Sequence, residues 1–149
     1  MKNLWSIVAQ SSSIDKDNNT LSIFDILEEI TFQIQGPTPE QIVFPVNFQL
    51  ISLWERESAG KPIEQKIKFV LKDPSGKTLS QNEGLLKMES HHKRTRFKAQ
   101  FQGLPATGPG TYKYEIVSLE TKKNEEEVLS STTFEVKIIN QPVKSPLKL

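Results

Sequence analysis

The sequence predicts an all-β protein, an antiparallel β-sandwich. Apolar and polar residues alternate at period two, turn signals separate these stretches, and β-branched and aromatic residues are frequent within them. The 149 residues are enough for one domain with a sizeable core. We therefore expect about eight strands in a single domain over residues 1–140. The remaining residues, 141–149, carry two prolines and should form a tail outside the sheet.

The first predicted element is an N-terminal β-hairpin. A strand, LWSIVAQSS, precedes an Asp-Asn tip at 17–19 and the stretch SIFDILEEITF at 22–32. Apolar residues in that stretch fit the i, i+3, i+4, i+7 spacing of an amphipathic helix, but they also fit a strand. We favour a strand with a bulge near Glu28 and Glu29, because β-branched and aromatic residues suit strands. A short helical turn at 25–29 is the alternative.

The stretch VFPVNFQLISLWERE, residues 43–57, predicts a strand that is apolar on both faces towards its end. Phe48, Leu50 and Trp54 share one face, while Ile51 and Leu53 lie on the other. This pattern is typical of a central strand or of one with a partner on its outer face.

The later strands follow from the same alternation. KIKFVLK is followed by the turn DPSGK, and TRFKAQF turns its apolar residues inward. A glycine-proline corner, GLPATGPG, precedes TYKYEIVSL. The acidic tip KKNEEE separates this strand from a last one that contains Phe134, Val136 and Ile138.

Two resemblances rest on these motifs. GTYKYEI, a tyrosine strand that leaves a glycine corner, resembles the late strands of immunoglobulin-like and fibronectin-like domains, and the likeness extends from Phe44 to Ile139. The chain lacks both cysteines of true immunoglobulin domains, so this resemblance implies architecture only. The hairpin, FPVNFQLISLWERE, DPSGK and GPGTYKYEI together are similar to a family of small uncharacterised bacterial β-sandwich proteins of unknown function. That resemblance implies no catalytic residues.

Composition excludes several classes of site. The chain has no cysteine, which rules out disulfides, thiolate nucleophiles and iron–sulfur ligation. The net charge of +1 creates no global field that would attract nucleic acid or an anionic membrane. No apolar run approaches the roughly 20 residues that span a bilayer, and polar residues interrupt the apolar start before a signal-peptide core forms. We expect a cytoplasmic protein with no membrane association.

The densest charge is HHKRTRFK, residues 91–98. As a strand, it would place His92, Arg94, Arg96 and Lys98 on one face, a basic stripe suited to an acidic partner or an anion. Binding of nucleic acid through this stripe is an alternative, but the neighbouring phenylalanines would point into the core and could not stack on bases. The stripe is also typical of a solvated sheet face.

The two histidines are the basis of another alternative, a metal-dependent or hydrolytic enzyme. His91 and His92 would face opposite sides of a strand, so metal binding would need carboxylates such as Glu89 or Asp25 from elsewhere in the fold. The DKDNN tip at 15–19 lacks the glycine and distal glutamate of an EF-hand loop. We therefore predict no metal site, no cofactor and no catalytic residue.

The sequence is best interpreted as a non-enzymatic protein-binding or structural module that acts through a sheet face or edge. An apolar seam would form the contact, bordered by a charged rim, and a homodimer is one candidate assembly. The seam residues are Ile51, Leu53 and Trp54, and the rim residues are Arg94, Arg96 and Lys98.

Overall fold

The computed structural model describes residues 1–120 and 125–143. These residues form nine β-strands and no helix. In chain order the strands are β1 (Lys2–Ile14), β2 (Leu21–Ile26), β3 (Glu29–Gln35), β4 (Ile42–Glu55), β5 (Ile63–Lys72), β6 (Thr78–Met88), β7 (Arg94–Ala106), β8 (Gly110–Ser118) and β9 (Glu127–Gln141).

The strands form two sheets that pack face to face, which confirms the predicted sandwich. One sheet has four strands in the order β2-β1-β4-β7, and the other has five in the order β3-β9-β8-β5-β6. Every pairing is antiparallel except that of β3 with β9, which is parallel. The predicted N-terminal hairpin is present as β1 and β2.

Aromatic residues of both sheets fill the space between them. The rings of Phe48 and Tyr114, from opposite sheets, have centroids 5.9 Å apart, and those of Phe69 and Phe97 lie 5.1 Å apart. Trp54 is fully buried and satisfies its indole N–H by donating to the Ser52 hydroxyl at 2.7 Å. The core therefore depends on the inward residues of β4, β5, β7 and β8, as the period-two pattern predicts.

The stretch 22–32 is extended rather than helical, but it is not one strand with a bulge. It divides into β2 and β3, which belong to different sheets. Between them Leu27 enters the core, and its N–H donates to the Val8 carbonyl at 2.8 Å. The Glu28 carbonyl then accepts from Glu135 N–H at 2.9 Å, which starts the parallel pairing with β9. The chain therefore passes from the four-stranded to the five-stranded sheet at Glu28 and Glu29, and the burial of Leu27 stabilises this crossing.

Strand β6 is absent from the sequence prediction because its centre, SQNEG, is polar. Gly84 in this segment lies beneath two rings: a Cβ there would come within 2.9 Å of Phe69 and 3.1 Å of Phe97. The missing side chain lets β6 pair with β5 while these rings pack against each other.

Two other predicted features, the acidic tip at 122–127 and the tail at 141–149, lie partly outside the described residues.

Polar contacts close the corner between β7 and β8 and join it to the turn after β5. The Tyr112 hydroxyl donates to the Gly108 carbonyl at 2.6 Å, a contact of the kind made by tyrosine corners. Asp73 accepts hydrogen bonds from Ser75, from the N–H of Lys77 and from the Thr107 hydroxyl. The Ser75 hydroxyl contributes most, and despite partial desolvation these bonds lower the pKa of Asp73 from 3.8 to about 2.

We predict that Asp73→Asn flattens the acid dependence of stability. Because the pKa is lower in the folded state, the ionised carboxylate stabilises the fold fully above about pH 4, and this contribution is lost as the pH falls towards 2. Asparagine does not titrate, so the variant should be less stable at pH 6 but lose less stability between pH 5 and pH 2. Urea unfolding across this range measures the difference, and parallel pH profiles would contradict the prediction.

Candidate binding groove

The outer face of the four-stranded sheet is covered, although it points away from the other sheet. Ala9, Gln49 and Ile51 lie on this face, and their exposed fractions are only 0%, 7% and 1%. Ile51 is paired with Ile7 on one side and Lys98 on the other. Pairing within the sheet leaves a strand's face open, so a further element must cover these side chains.

The β1–β2 hairpin provides this cover. The first half of β1 pairs with β4 and the second half with β2, with Ala9 paired to both neighbours. The Ser12 hydroxyl then donates to the Gln49 side chain at 2.7 Å, and the hairpin tip reaches β7. There the Arg96 guanidinium donates to the Asn19 side chain at 3.0 Å and to its carbonyl at 2.7 Å. The hairpin therefore crosses β4 and is fastened to the far strand of the sheet.

Hydrogen bonds within the tip shape it for this contact. The Asp15 carboxylate accepts from Asp17 N–H at 2.9 Å, and the Asn18 side chain accepts from Thr20 N–H at 3.0 Å. Asn19 has a φ of 58°, a conformation that asparagine tolerates better than most residues. The polar residues of DKDNN thus close the turn and present Asn19 to Arg96.

A groove of about 740 Å³ remains where the hairpin and the sheet diverge. Its apolar surface comes from both sides. The apolar residues that line it are Trp5 and Leu53 on the sheet and Ile14, Leu21 and Ile23 on the hairpin.

The charge in the groove is of one sign. The arginines Arg94 and Arg96 line it, and none of the described residues lining it is acidic. Arg94 donates to the Glu55 carboxylate at 3.0 Å, so its charge is partly balanced from outside the groove. Arg96 bonds only neutral groups of Asn19 among the contacts of the described chain. The groove thus combines apolar walls with a cationic rim, which suits an amphipathic acidic ligand.

The six predicted partner-binding residues fall into three groups. Leu53, Arg94 and Arg96 meet in the groove. Lys98 is exposed on the same face, opposite Ile51. Ile51 and Trp54, which were predicted to belong to the partner-binding seam, are buried.

Trp54 and Ile51 are buried in different ways. Trp54 is 0% exposed because it points into the core. Ile51 is 1% exposed, and it lies on the face that the hairpin crosses between its contacts to Gln49 and Arg96. Ile51 and Trp54 are therefore inaccessible in the folded chain, whereas Leu53 stays partly exposed in the groove, and the homodimer stays a prediction.

The histidines lie in a turn rather than on a strand. β7 begins at Arg94, and His91 and His92 belong to the β6–β7 connection, so the predicted stripe loses its first member as a strand residue. Within the described part of the chain, no group of three or more histidine or carboxylate side chains is arranged to hold a metal ion.

Arg56 organises that connection and was not singled out from the sequence. Its guanidinium donates to four backbone carbonyls, those of Lys61, Glu89, Ser90 and His92, at 2.6–2.8 Å. Its partners are carbonyls, which every residue carries, so no sequence pattern could have predicted the contact. Through it the β4–β5 loop and the β6–β7 turn are joined beside the groove.

The outer face of the five-stranded sheet is charged in a different way. Burial alone would raise the pKa of Glu115, but Lys72 at 2.8 Å and Lys113 at 3.0 Å outweigh it and hold the pKa below its usual value. Glu29 pairs with Lys137 at 3.0 Å. These cations have carboxylate partners, as Arg94 does, whereas Arg96 bonds only to neutral groups of Asn19 among the described residues.

Comparisons with known protein families and with curated proteins find no match to this chain. The resemblance to small bacterial proteins of unknown function stays a prediction. None of the described residues belongs to a helix long and apolar enough to cross a membrane.

We predict that Arg96→Ala loosens the hairpin without unfolding the domain. Losing two hydrogen bonds from a partly exposed cation should make local opening of β1–β2 easier by about 1 kcal/mol. Amide hydrogen exchange of residues 19–26 should accelerate roughly fivefold, while the free energy of unfolding falls by no more than about 1 kcal/mol.

Lys98→Ala is the matched control, because Lys98 is a cation on the same face of β7 that makes no hydrogen bond or ion pair to the described residues of the hairpin. Equal exchange rates in the two variants would show that Arg96 does not fasten the hairpin.

Proposed function

We propose that this chain is a non-enzymatic binding module that holds a segment of a partner protein in the groove between the β1–β2 hairpin and the four-stranded sheet. The observation that carries the proposal is the makeup of the groove. Trp5 and Leu53 offer partly buried apolar surface beside Arg94 and Arg96. Aromatic and arginine side chains are the residues that most often anchor protein interfaces.

An immunoglobulin-like architecture is part of the proposal. In immunoglobulin domains one sheet has the order A-B-E-D, and the other has G-F-C, which variable domains extend with C′. The order β1-β4-β7 corresponds to A-B-E, and β9-β8-β5-β6 corresponds to G-F-C-C′. The Tyr112 contact supports the same interpretation. Folds of this kind serve many roles, so the groove rather than the fold supports the binding function.

Selection from a displayed peptide library against the full chain tests the proposal. We expect enriched peptides to combine apolar and acidic residues, and to bind the Leu53→Lys variant at least about tenfold more weakly, because an apolar anchor contributes about 1.5–3 kcal/mol.

Leu85→Lys is the control, since Leu85 is an exposed leucine on the other sheet. Circular dichroism establishes that both variants fold. Failure to enrich any peptide, or enriched peptides that bind both variants equally, would contradict the proposal.

A further inference from the structure

The outer edge of β7 has no paired strand, although part of β7 lies close to β6, the edge strand of the facing sheet. β7 ends the four-stranded sheet and, in the described part of the chain, pairs only with β4. From Arg94 to Gln102, nine consecutive residues pair with β4 without a register shift. Half of the backbone N–H and C=O groups in this stretch point away from β4 and have no strand partner there. A regular edge of this length is a template for another strand.

The charge of β7 distinguishes it from the other edge strands. The register with β4 places Arg94, Arg96 and Lys98 on one face, opposite Glu55, Leu53 and Ile51. The sequence of β7 contains no acidic residue. Each of the other three edge strands carries at least one, namely Asp25 in β2, Glu29 in β3 and Glu83 in β6.

We propose that β7 receives an acidic, extended segment of a partner protein as an additional strand of the four-stranded sheet. This inference rests on the proposed binding function and names the chemistry and the geometry of the partner. Backbone hydrogen bonds along the open edge would supply affinity, and alternate side chains would supply specificity. Carboxylates at every second position of the added strand would lie beside Arg94, Arg96 and Lys98.

The opposite face of the added strand favours apolar residues. The side chains of Phe97 and Ala99 point towards the core side of β7 and are only partly buried. A strand placed beside them would cover their remaining exposed surface. The recognised pattern is therefore alternating acidic and apolar residues over about five to seven positions.

A second copy of this chain does not fit the same edge. Pairing β7 with β7 would bring three cations of one strand beside three of the other, and like charges across a strand pair are destabilising. The basic residues therefore protect the edge against self-association while leaving it complementary to an acidic strand.

Nuclear magnetic resonance of the isotope-labelled full chain tests the inference with a capped peptide of alternating glutamate and valine. We expect saturable shifts concentrated in the backbone amides of residues 94–102, and affinity that falls several-fold between about 50 and 300 mM salt. Lys98→Glu should weaken binding about fivefold or more, whereas Lys66→Glu, the same change on the other sheet, should not. A peptide with N-methyl groups on alternate amides should not bind.

Three results would overturn the inference: no binding, binding without shifts in residues 94–102, or equal binding of the N-methylated peptide. No binding would mean that the cations of β7 only protect the edge. If peptides selected from the library shift Trp5 and Leu53 but leave the β7 amides unchanged, the binding function stands and edge addition is excluded. If neither the groove nor the edge responds to any peptide, both proposals fail.

Discussion

Ile51 lies on the face of β4 that points away from the other sheet, and yet its side chain is buried. Leaving an isoleucine of this kind in water costs about 1.5–3 kcal/mol, and Leu53 beside it adds to the apolar surface. The β1–β2 hairpin removes most of that surface from water by folding back across β4. The two hydrogen bonds between Arg96 and Asn19 fasten its tip to β7. The groove exists because the hairpin covers Ile51 completely and Leu53 only in part.

The two outer faces of the sandwich differ in how their charges are balanced. On the five-stranded sheet Glu115 lies between Lys72 and Lys113, and its lowered pKa reflects this pairing. Lys72, Lys113 and Lys137 gain less from a new ionic contact, because each already has a carboxylate partner within the chain. On the four-stranded sheet Arg96 bonds to neutral groups, and Lys98 is exposed. Under the proposed function, the acidic partner would bind the four-stranded sheet, where the groove and the edge of β7 adjoin.

The alternation of apolar and polar residues is a local property of the sequence. It was sufficient to predict the sandwich, the hairpin and the inward residues Phe97 and Phe101. Contacts between segments that are distant in the sequence were harder to predict. The change of sheet at Leu27 depends on a space in the core that only the assembled fold provides. Ile51 was assigned to a partner-binding seam, with cover by the N-terminal hairpin as the alternative, because the alternation does not show which of the two buries it. Strand β6 was missed because its central residues are polar and show no apolar alternation, although they still pair with β5. Among the site residues, the basic side chains of β7 were predictable, whereas Arg56 was not, because it bonds to backbone carbonyls.

The position of the hairpin is the central claim, and paramagnetic relaxation enhancement tests it most directly. The chain contains no cysteine, so Lys16→Cys gives a single site for a nitroxide label at the exposed hairpin tip. If the hairpin crosses the sheet, the label should broaden the amide signals of residues 94–98 in β7 and leave those of β5 in the other sheet sharp. Sharp signals throughout β7 would show that the hairpin extends into solvent, and the groove would lose one of its two walls.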